Sequence, residues 1–127
     1  MSARILVVED SPVVRQTIRA ALESAGHQVT ESGDGEQALR CLGSAAPELV
    51  ITDVYMSGMD GLSLVRAIRA LPLFRFLPIL VLTTEAAEEM KERGRAAGAT
   101  GWMVKPFQAE QLRQVVTRLV RPSRVPA

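Results

Sequence analysis

The stretch ILVVEDSP, Ile5 to Pro12, decides how the rest of the chain is read. Four apolar residues in a row, mostly β-branched and stopped by Glu9 and Asp10, have the pattern of a strand buried on both faces. Ser11 then supplies a helix N-cap and Pro12 a first-turn proline. Val14, Ile18, Ala21, Leu22 and Ala25 follow at helical spacing, up to a stop at Gly26. A strand, a pair of acids and a helix thus form one β-α unit with its polar residues at the junction.

The same pattern recurs outward along the chain. Gln28 to Glu31 is a weaker strand, for which an antiparallel edge position is a second option; Gly33-Asp34-Gly35 is a turn, and Glu36 to Gly43 has helical spacing. Leu49 to Thr52 runs straight into Asp53, and Asp60 caps a helix containing Leu62, Leu64, Val65, Ile68 and Leu71. Ile79 to Leu82 ends at Thr83-Thr84 and leads into a helix over Glu85 to Ala97, with Gly98 as its C-terminal cap. Trp102 to Val104 is stopped by Lys105-Pro106, and a last helix from about Gln108 uses Leu112, Val115, Val116, Leu119 and Val120. Five β-α units predict a doubly wound α/β fold, a mostly parallel five-stranded sheet with helices on both faces. They fill one domain over residues 1–121, leaving a short C-terminal tail at 122–127.

Composition narrows the function classes. With 127 residues, 47% hydrophobic and 23% charged, the chain holds one core and is no disordered segment. A formal net charge of +1 argues against a nucleic-acid binder. The early apolar run is too short for a signal peptide or a membrane span, so a cytoplasmic location without membrane insertion is expected. A single cysteine, Cys41, and a single histidine, His27, exclude internal disulfides and multi-histidine or multi-cysteine metal sites, and neither is given a catalytic role. The charge is uneven: residues 1–60 hold nine acids against four bases, and residues 61–127 five acids against eleven bases.

In an open parallel sheet, ligands bind beyond the carboxyl ends of the strands, where the strand order reverses. Glu9, Asp10, Asp53, Thr83 and Lys105 all follow strands, and adjacent first and third strands bring them together. Hard carboxylate oxygens suit Mg²⁺, and crowded acids need a compensating cation to stay ionised. No phosphate-cradling glycine loop of either common nucleotide-binding type is present. Asp53, the lone acid at the end of a central strand, is the best nucleophile toward phosphorus, with Lys105 and a metal countering charge and the Thr83 hydroxyl donating a hydrogen bond. Taken singly, these residues also read as cap or turn carboxylates, a surface lysine and a helix-capping threonine. Their combination favours the site.

Together, ILVVEDS (Ile5 to Ser11), ITDVYMSGMDG (Ile51 to Gly61), PILVLTTEA (Pro78 to Ala86) and GATGWMVKPF (Gly98 to Phe107) resemble the phosphoacceptor receiver domain of two-component response regulators, particularly the chemotaxis, CheY-like type. The resemblance covers Arg4 to Val120. It implies the strand order 2-1-3-4-5, phosphorylation of Asp53 by a partner histidine kinase, and Mg²⁺ held by Glu9, Asp10, Asp53 and the backbone carbonyl of Tyr55. It also implies a phosphate contact from Lys105, a cis peptide bond between Lys105 and Pro106, and a switch in which Thr83 and Trp102 move. The output face it implies contains Met90, Arg93, Arg95, Trp102, Gln108 and Gln111. The partners it implies are a chemotaxis-type kinase, a downstream target such as the flagellar motor switch, and a phosphatase.

Several residues depart from the family pattern. Glu9 stands where aspartate is common and Ser57 where proline is usual, which frees the loop from Tyr55 to Asp60. Tyr55 and Thr84 are bulky at positions governing access of attacking water, so altered phosphoryl lifetime is expected. Trp102 is larger than the usual tyrosine or phenylalanine. Beside the switched signalling module stand three other readings: a phosphate sink or intermediate carrier, a constitutive scaffold, and a Mg²⁺-dependent hydrolase of small phosphate esters.

Overall fold

A computed structural model describes residues 2–120. Its strands are β1 (Arg4–Val8), β2 (Gln28–Ser32), β3 (Leu49–Thr52), β4 (Ile79–Thr83) and β5 (Gly101–Val104). They alternate with α1 (Pro12–Glu23), α2 (Gly35–Ala45), α3 (Gly61–Arg69), α4 (Glu88–Ala97) and α5 (Ala109–Val120). The sheet is ordered β2-β1-β3-β4-β5 and every pairing is parallel, so the expected doubly wound, flavodoxin-like order holds. The expected tail at 122–127 lies outside the described residues.

The continuous apolar runs are explained by two cores. Ile5 and Val7 of β1, Leu49 and Ile51 of β3, and Leu80 and Leu82 of β4 face a core shared with Ile18 and Leu22 of α1 and Leu112 and Val116 of α5. The alternate residues Leu6, Val8, Val50, Ile79 and Val81 face a second core with Leu42 of α2 and Leu64, Val65 and Ile68 of α3. Period-two alternation thus gives the apolar residues of the central strands a core on each face, each large side chain contributing about 1.5–3 kcal/mol on burial.

The caps expected at Ser11, Asp60 and Gly98 hold, and Asp34, expected in a turn, caps α2 as well. The Ser11 hydroxyl accepts from the Val14 N–H at 3.3 Å, and the Asp34 and Asp60 carboxylates accept from Gln37 at 2.7 Å and Ser63 at 2.8 Å. Gly98 ends α4 in the left-handed region, at φ 113. His27 is buried at the start of β2, where its Nδ1 accepts the Ala3 N–H at 3.0 Å and burial pushes its pKa down. Cys41 is half-buried on α2.

The antiparallel option for β2 falls away, and three element boundaries are corrected. β2 is parallel to β1, and it read weakly because an edge strand alternates exposed and partly buried residues. Gly26 closes a turn after α1 rather than the helix itself, which ends at Glu23. α3 stops at Arg69, and Leu71 leads into a short 3-10 turn at Pro72–Phe74. α4 begins at Glu88, not Glu85, because Glu85 is engaged in the bonds described next.

Candidate functional site

Because the strands are parallel, residues following β1, β3, β4 and β5 emerge at one edge of the sheet, and β1 and β3 are neighbours at the point where the order reverses. The ladder runs one residue past each strand. The Glu9 N–H donates to the Ser32 carbonyl at 3.1 Å, that of Asp53 to Val8 at 3.4 Å, and that of Lys105 to Thr83 at 2.8 Å. The Lys105–Pro106 peptide is cis.

Lys105 Nζ donates to Glu9 Oε1 and to Asp53 Oδ2, each at 2.9 Å. Glu9 and Asp53 are 3% and 8% exposed, so one ammonium holds two buried carboxylates. The other Asp53 oxygen, Oδ1, accepts backbone N–H groups from Val54 at 2.6 Å and Tyr55 at 3.3 Å. Burial pushes Asp53 up, but the bonds from Lys105, Thr83 and the Tyr55 backbone outweigh it and hold the carboxyl below its usual range. Burial likewise lowers Lys105, and its two acidic partners more than reverse this. The compensating cation required by crowded acids is therefore the protein's own lysine.

Asp10 stands apart, exposed, with Oδ2 accepting the Ser57 N–H at 3.2 Å. Among the described residues no three acidic, histidine or cysteine side chains are grouped as a metal shell. The donor chemistry nevertheless fits a hard divalent cation: Glu9, Asp10 and Asp53 offer carboxylate oxygens after the neighbouring strands β1 and β3, held by Lys105 and by backbone N–H groups, with no sulfur ligand among them.

Thr83 is fully buried and its Oγ1 accepts the Glu85 N–H at 3.4 Å. Thr84 is exposed on the rim of an apolar groove of about 420 Å³ lined by Val13, Val14, Thr17 and Phe107. Tyr55 is 52% exposed, and its hydroxyl donates to Glu85 Oε1 at 2.5 Å across the mouth of the crevice. That bond holds Glu85 below and Tyr55 above their usual pKa ranges.

Trp102 is half-buried against the second core, with Nε1 donating to the Glu85 carbonyl at 3.0 Å. Of the expected output face, Arg95 lines a cavity with Trp102 and Lys91, whereas Met90 and Arg93 line one with Tyr55 and Arg66. Gln108 and Gln111 are exposed at the start of α5. The α4 residues of the set therefore divide between two cavities, with the two glutamines apart at α5.

Three contributors were missed in the sequence. Glu85, hidden by its helical reading, joins Thr83, Tyr55 and Trp102. Arg15 donates from Nη1 to the Glu9 carbonyl at 2.7 Å and from Nε to Glu31 at 2.7 Å, tying the acidic turn to β2. Gly94, an interior helix glycine, lies under the indole: a Cβ there would stand 2.5 Å from Trp102 Cζ3 and 2.8 Å from Cε3. A glycine within a helix and a lone tryptophan on the next strand are the sequence signal for such a seat. Ala for Gly ordinarily stabilises a helix by about 1 kcal/mol. Gly94→Ala is expected instead to cost about 1–2 kcal/mol by overpacking and to shift Trp102 emission. A melt with fluorescence detection checks both; higher stability with unchanged emission would contradict the seat.

The strand order β2-β1-β3-β4-β5, with its crevice where the order reverses, defines a class of doubly wound, flavodoxin-like domains. The response regulator receiver domain family matches residues 5–117, and the chain belongs to that family. It is a CheY-like receiver: it is 36% identical over 117 residues to the chemotaxis protein CheY of Pseudomonas aeruginosa, covering 91% of this chain and 94% of that protein. The solved chemotaxis protein CheY4 of Vibrio cholerae superposes with a TM-score of 0.89 at 41% identity, covering 94% of this chain and 99% of that one. A sensor histidine kinase receiver domain from P. aeruginosa, solved with a magnesium ion coordinated in its active site cleft, matches with a TM-score of 0.86 at 34% identity, covering 94% and 98%. The gliding motility regulatory protein of Myxococcus xanthus is 38% identical over 117 residues, but this chain, 91% of which is matched, spans only 15% of its length. Receivers of this family act in two-component signalling, and relatives serve outside chemotaxis as well as within it.

Proposed function

We propose that Asp53 is the phosphoacceptor of a chemotaxis-type two-component pathway. The observation that carries this reading is the division of labour at its carboxylate. Oδ1 is fixed by two backbone N–H groups, while Oδ2 faces the Lys105 ammonium at 2.9 Å. A carboxylate kept ionised is a competent nucleophile, and a fixed cation beside it is placed to counter charge on transferred oxygens.

In this reading Oδ2 attacks the phosphorus of a phosphohistidine on the partner kinase, the bond to the histidine nitrogen breaks, and an acyl phosphate remains on Asp53. Lys105 leaves the carboxylate for a phosphoryl oxygen, and the Thr83 hydroxyl turns to donate to another. Mg²⁺, held by Glu9, Asp10, Asp53 and the Tyr55 backbone carbonyl, supplies further positive charge on the phosphoryl oxygens. Tyr55 and Thr84 flank the path of attacking water and set the lifetime before self-dephosphorylation.

The loss of the Thr83 Oγ1 bond to the Glu85 N–H then moves the loop that holds the indole, and the surface around Trp102 and Arg95 reads out the state. Its target is a cytoplasmic protein of the flagellar motor switch type, with a separate phosphatase resetting the signal. The test is a titration with Mg²⁺ and beryllofluoride, following Trp102 emission and binding of the motor switch protein. Both are expected to change in the wild type and neither in Asp53→Ala. An emission change without target binding would favour a phosphate sink, and target binding that ignores Asp53→Ala would favour a scaffold.

A further inference from the structure

The segment between α3 and β4, Leu71 to Pro78, carries exposed apolar side chains that neither the fold nor the acidic crevice uses. Leu73 is 90% and Phe76 83% exposed, with Leu71 at 38% beside them. These are three of the five large apolar side chains exposed among the described residues. They are not on a loose loop. Leu77 is buried in the second core, Phe74 packs against it, and the 3-10 turn is closed by the Phe74 N–H to Leu71 and the Leu77 N–H to Phe74, at 2.9 and 3.1 Å. Arg69 Nη1 also donates to the Phe74 carbonyl at 3.2 Å. With Phe74 and Leu77 anchored inward, Leu73 and Phe76 are held outward at little further entropic cost on binding.

Arg75 is the charge carried by the knob itself, and the charged residues along this stretch of chain have one sign. From Gly61 to Thr84 the chain has no Asp, Glu or Lys and three arginines, Arg66, Arg69 and Arg75. Arg75 lies over the Phe76 ring at 5.1 Å, and neither Arg66 nor Arg75 enters any ion pair among the described residues. An aromatic ring capped by an exposed guanidinium is the residue pairing that anchors protein interfaces. The apolar area is two protruding side chains, too little for a lipid-inserting face.

We propose that Leu73, Arg75 and Phe76 form a docking knob for a partner segment that combines apolar residues with Asp or Glu. The knob precedes β4, whereas Asp53, Thr83 and Lys105 lie at the opposite ends of the strands, about 16 Å away along the length of β4. Docking here is therefore independent of the crevice: it tethers the domain to a partner without reading its phosphorylation state.

The probe is a synthetic amphipathic peptide of Leu, Phe and Glu, compared with the same peptide carrying Lys for Glu. Binding is followed by amide shifts of the 127-residue chain, with and without beryllofluoride. The expected result is perturbation centred on residues 71–78 by the Glu peptide alone, unchanged by beryllofluoride. Affinity is expected to fall about tenfold in Phe76→Ser and in Arg75→Glu. Both positions are exposed, so the variants keep the fold, as melting curves will verify. Equal binding of the Lys peptide, no binding of either, or binding of anionic phosphatidylglycerol vesicles instead would overturn the proposal. So would self-association through residues 71–78 seen by sedimentation. Loss of binding in Asp53→Ala would overturn the independence from the crevice, while a failed phosphoacceptor reading leaves the knob untouched.

Discussion

Lys105→Met is expected to lower the stability of the fold by about 3 kcal/mol at neutral pH. Nζ is the sole charged partner of Glu9 Oε1 and Asp53 Oδ2 among the described residues, and both carboxylates are almost wholly buried. Methionine keeps the length of the side chain and removes the charge, so the loss reports two uncompensated buried acids rather than a cavity. The sign with pH follows. In the wild type, the lowered Asp53 pKa contributes stability above the usual carboxylate range that is lost as pH falls through the folded value. Without Lys105, the upward push of burial on Asp53 is opposed only by Thr83 and the Tyr55 backbone, so the ionised acid is less well compensated at neutral pH and protonation relieves it as pH falls. Urea melts of both proteins at about pH 7 and about pH 4.5 are therefore expected to show the gap narrowing in acid. A constant gap would point to lost packing of the lysine stem. Added Mg²⁺ is expected to restore more stability to the variant than to the wild type.

Gly61→Ala is expected to be the most damaging single methyl in the domain, costing about 4 kcal/mol or preventing folding. Gly61 opens α3, and its N–H donates to the Val54 carbonyl at 2.8 Å, folding the loop after Asp53 back onto the helix. A Cβ there would lie 1.9 Å from the Asp53 carbonyl oxygen and 2.8 Å from its carbon. Backbone on both sides leaves nothing flexible to yield. Gly43 is the control: it lies inside α2 with nothing within 4 Å of a Cβ, and Gly43→Ala is expected to stabilise by about 0.5–1 kcal/mol. Melting temperatures of the two variants check the contrast. Any Gly61→Ala that does fold is expected to accept phosphoryl groups more slowly, since the clash falls on the peptide carrying Asp53.

The strands and caps are legible because local chemistry determines them: apolar runs ending in acids, and Ser11 and Asp60 before helical periods. The parallel order was legible only through repetition of the β-α unit, and β2 was ambiguous because an edge strand lacks a two-sided core. Asp53, Thr83 and Lys105 could be placed together from their positions after strands. What could not be read was orientation. Glu9 turns inward to Lys105 while its neighbour Asp10 is exposed and accepts the Ser57 N–H. Glu85 reads in the sequence as the start of α4, whereas its bonds with Tyr55 and Trp102 keep it in the loop.

The central claim is that one carboxylate, Asp53, receives the phosphoryl group, and mapping that group answers it most directly. The protein is to be incubated with Mg²⁺ and a small phosphodonor, the acyl phosphate reduced with borohydride, and the modified residue located by tandem mass spectrometry. The account predicts modification at Asp53 alone, abolished by EDTA and by Asp53→Ala. Modification at Glu9 or Asp10, or undiminished modification of the Asp53→Ala protein, would contradict it.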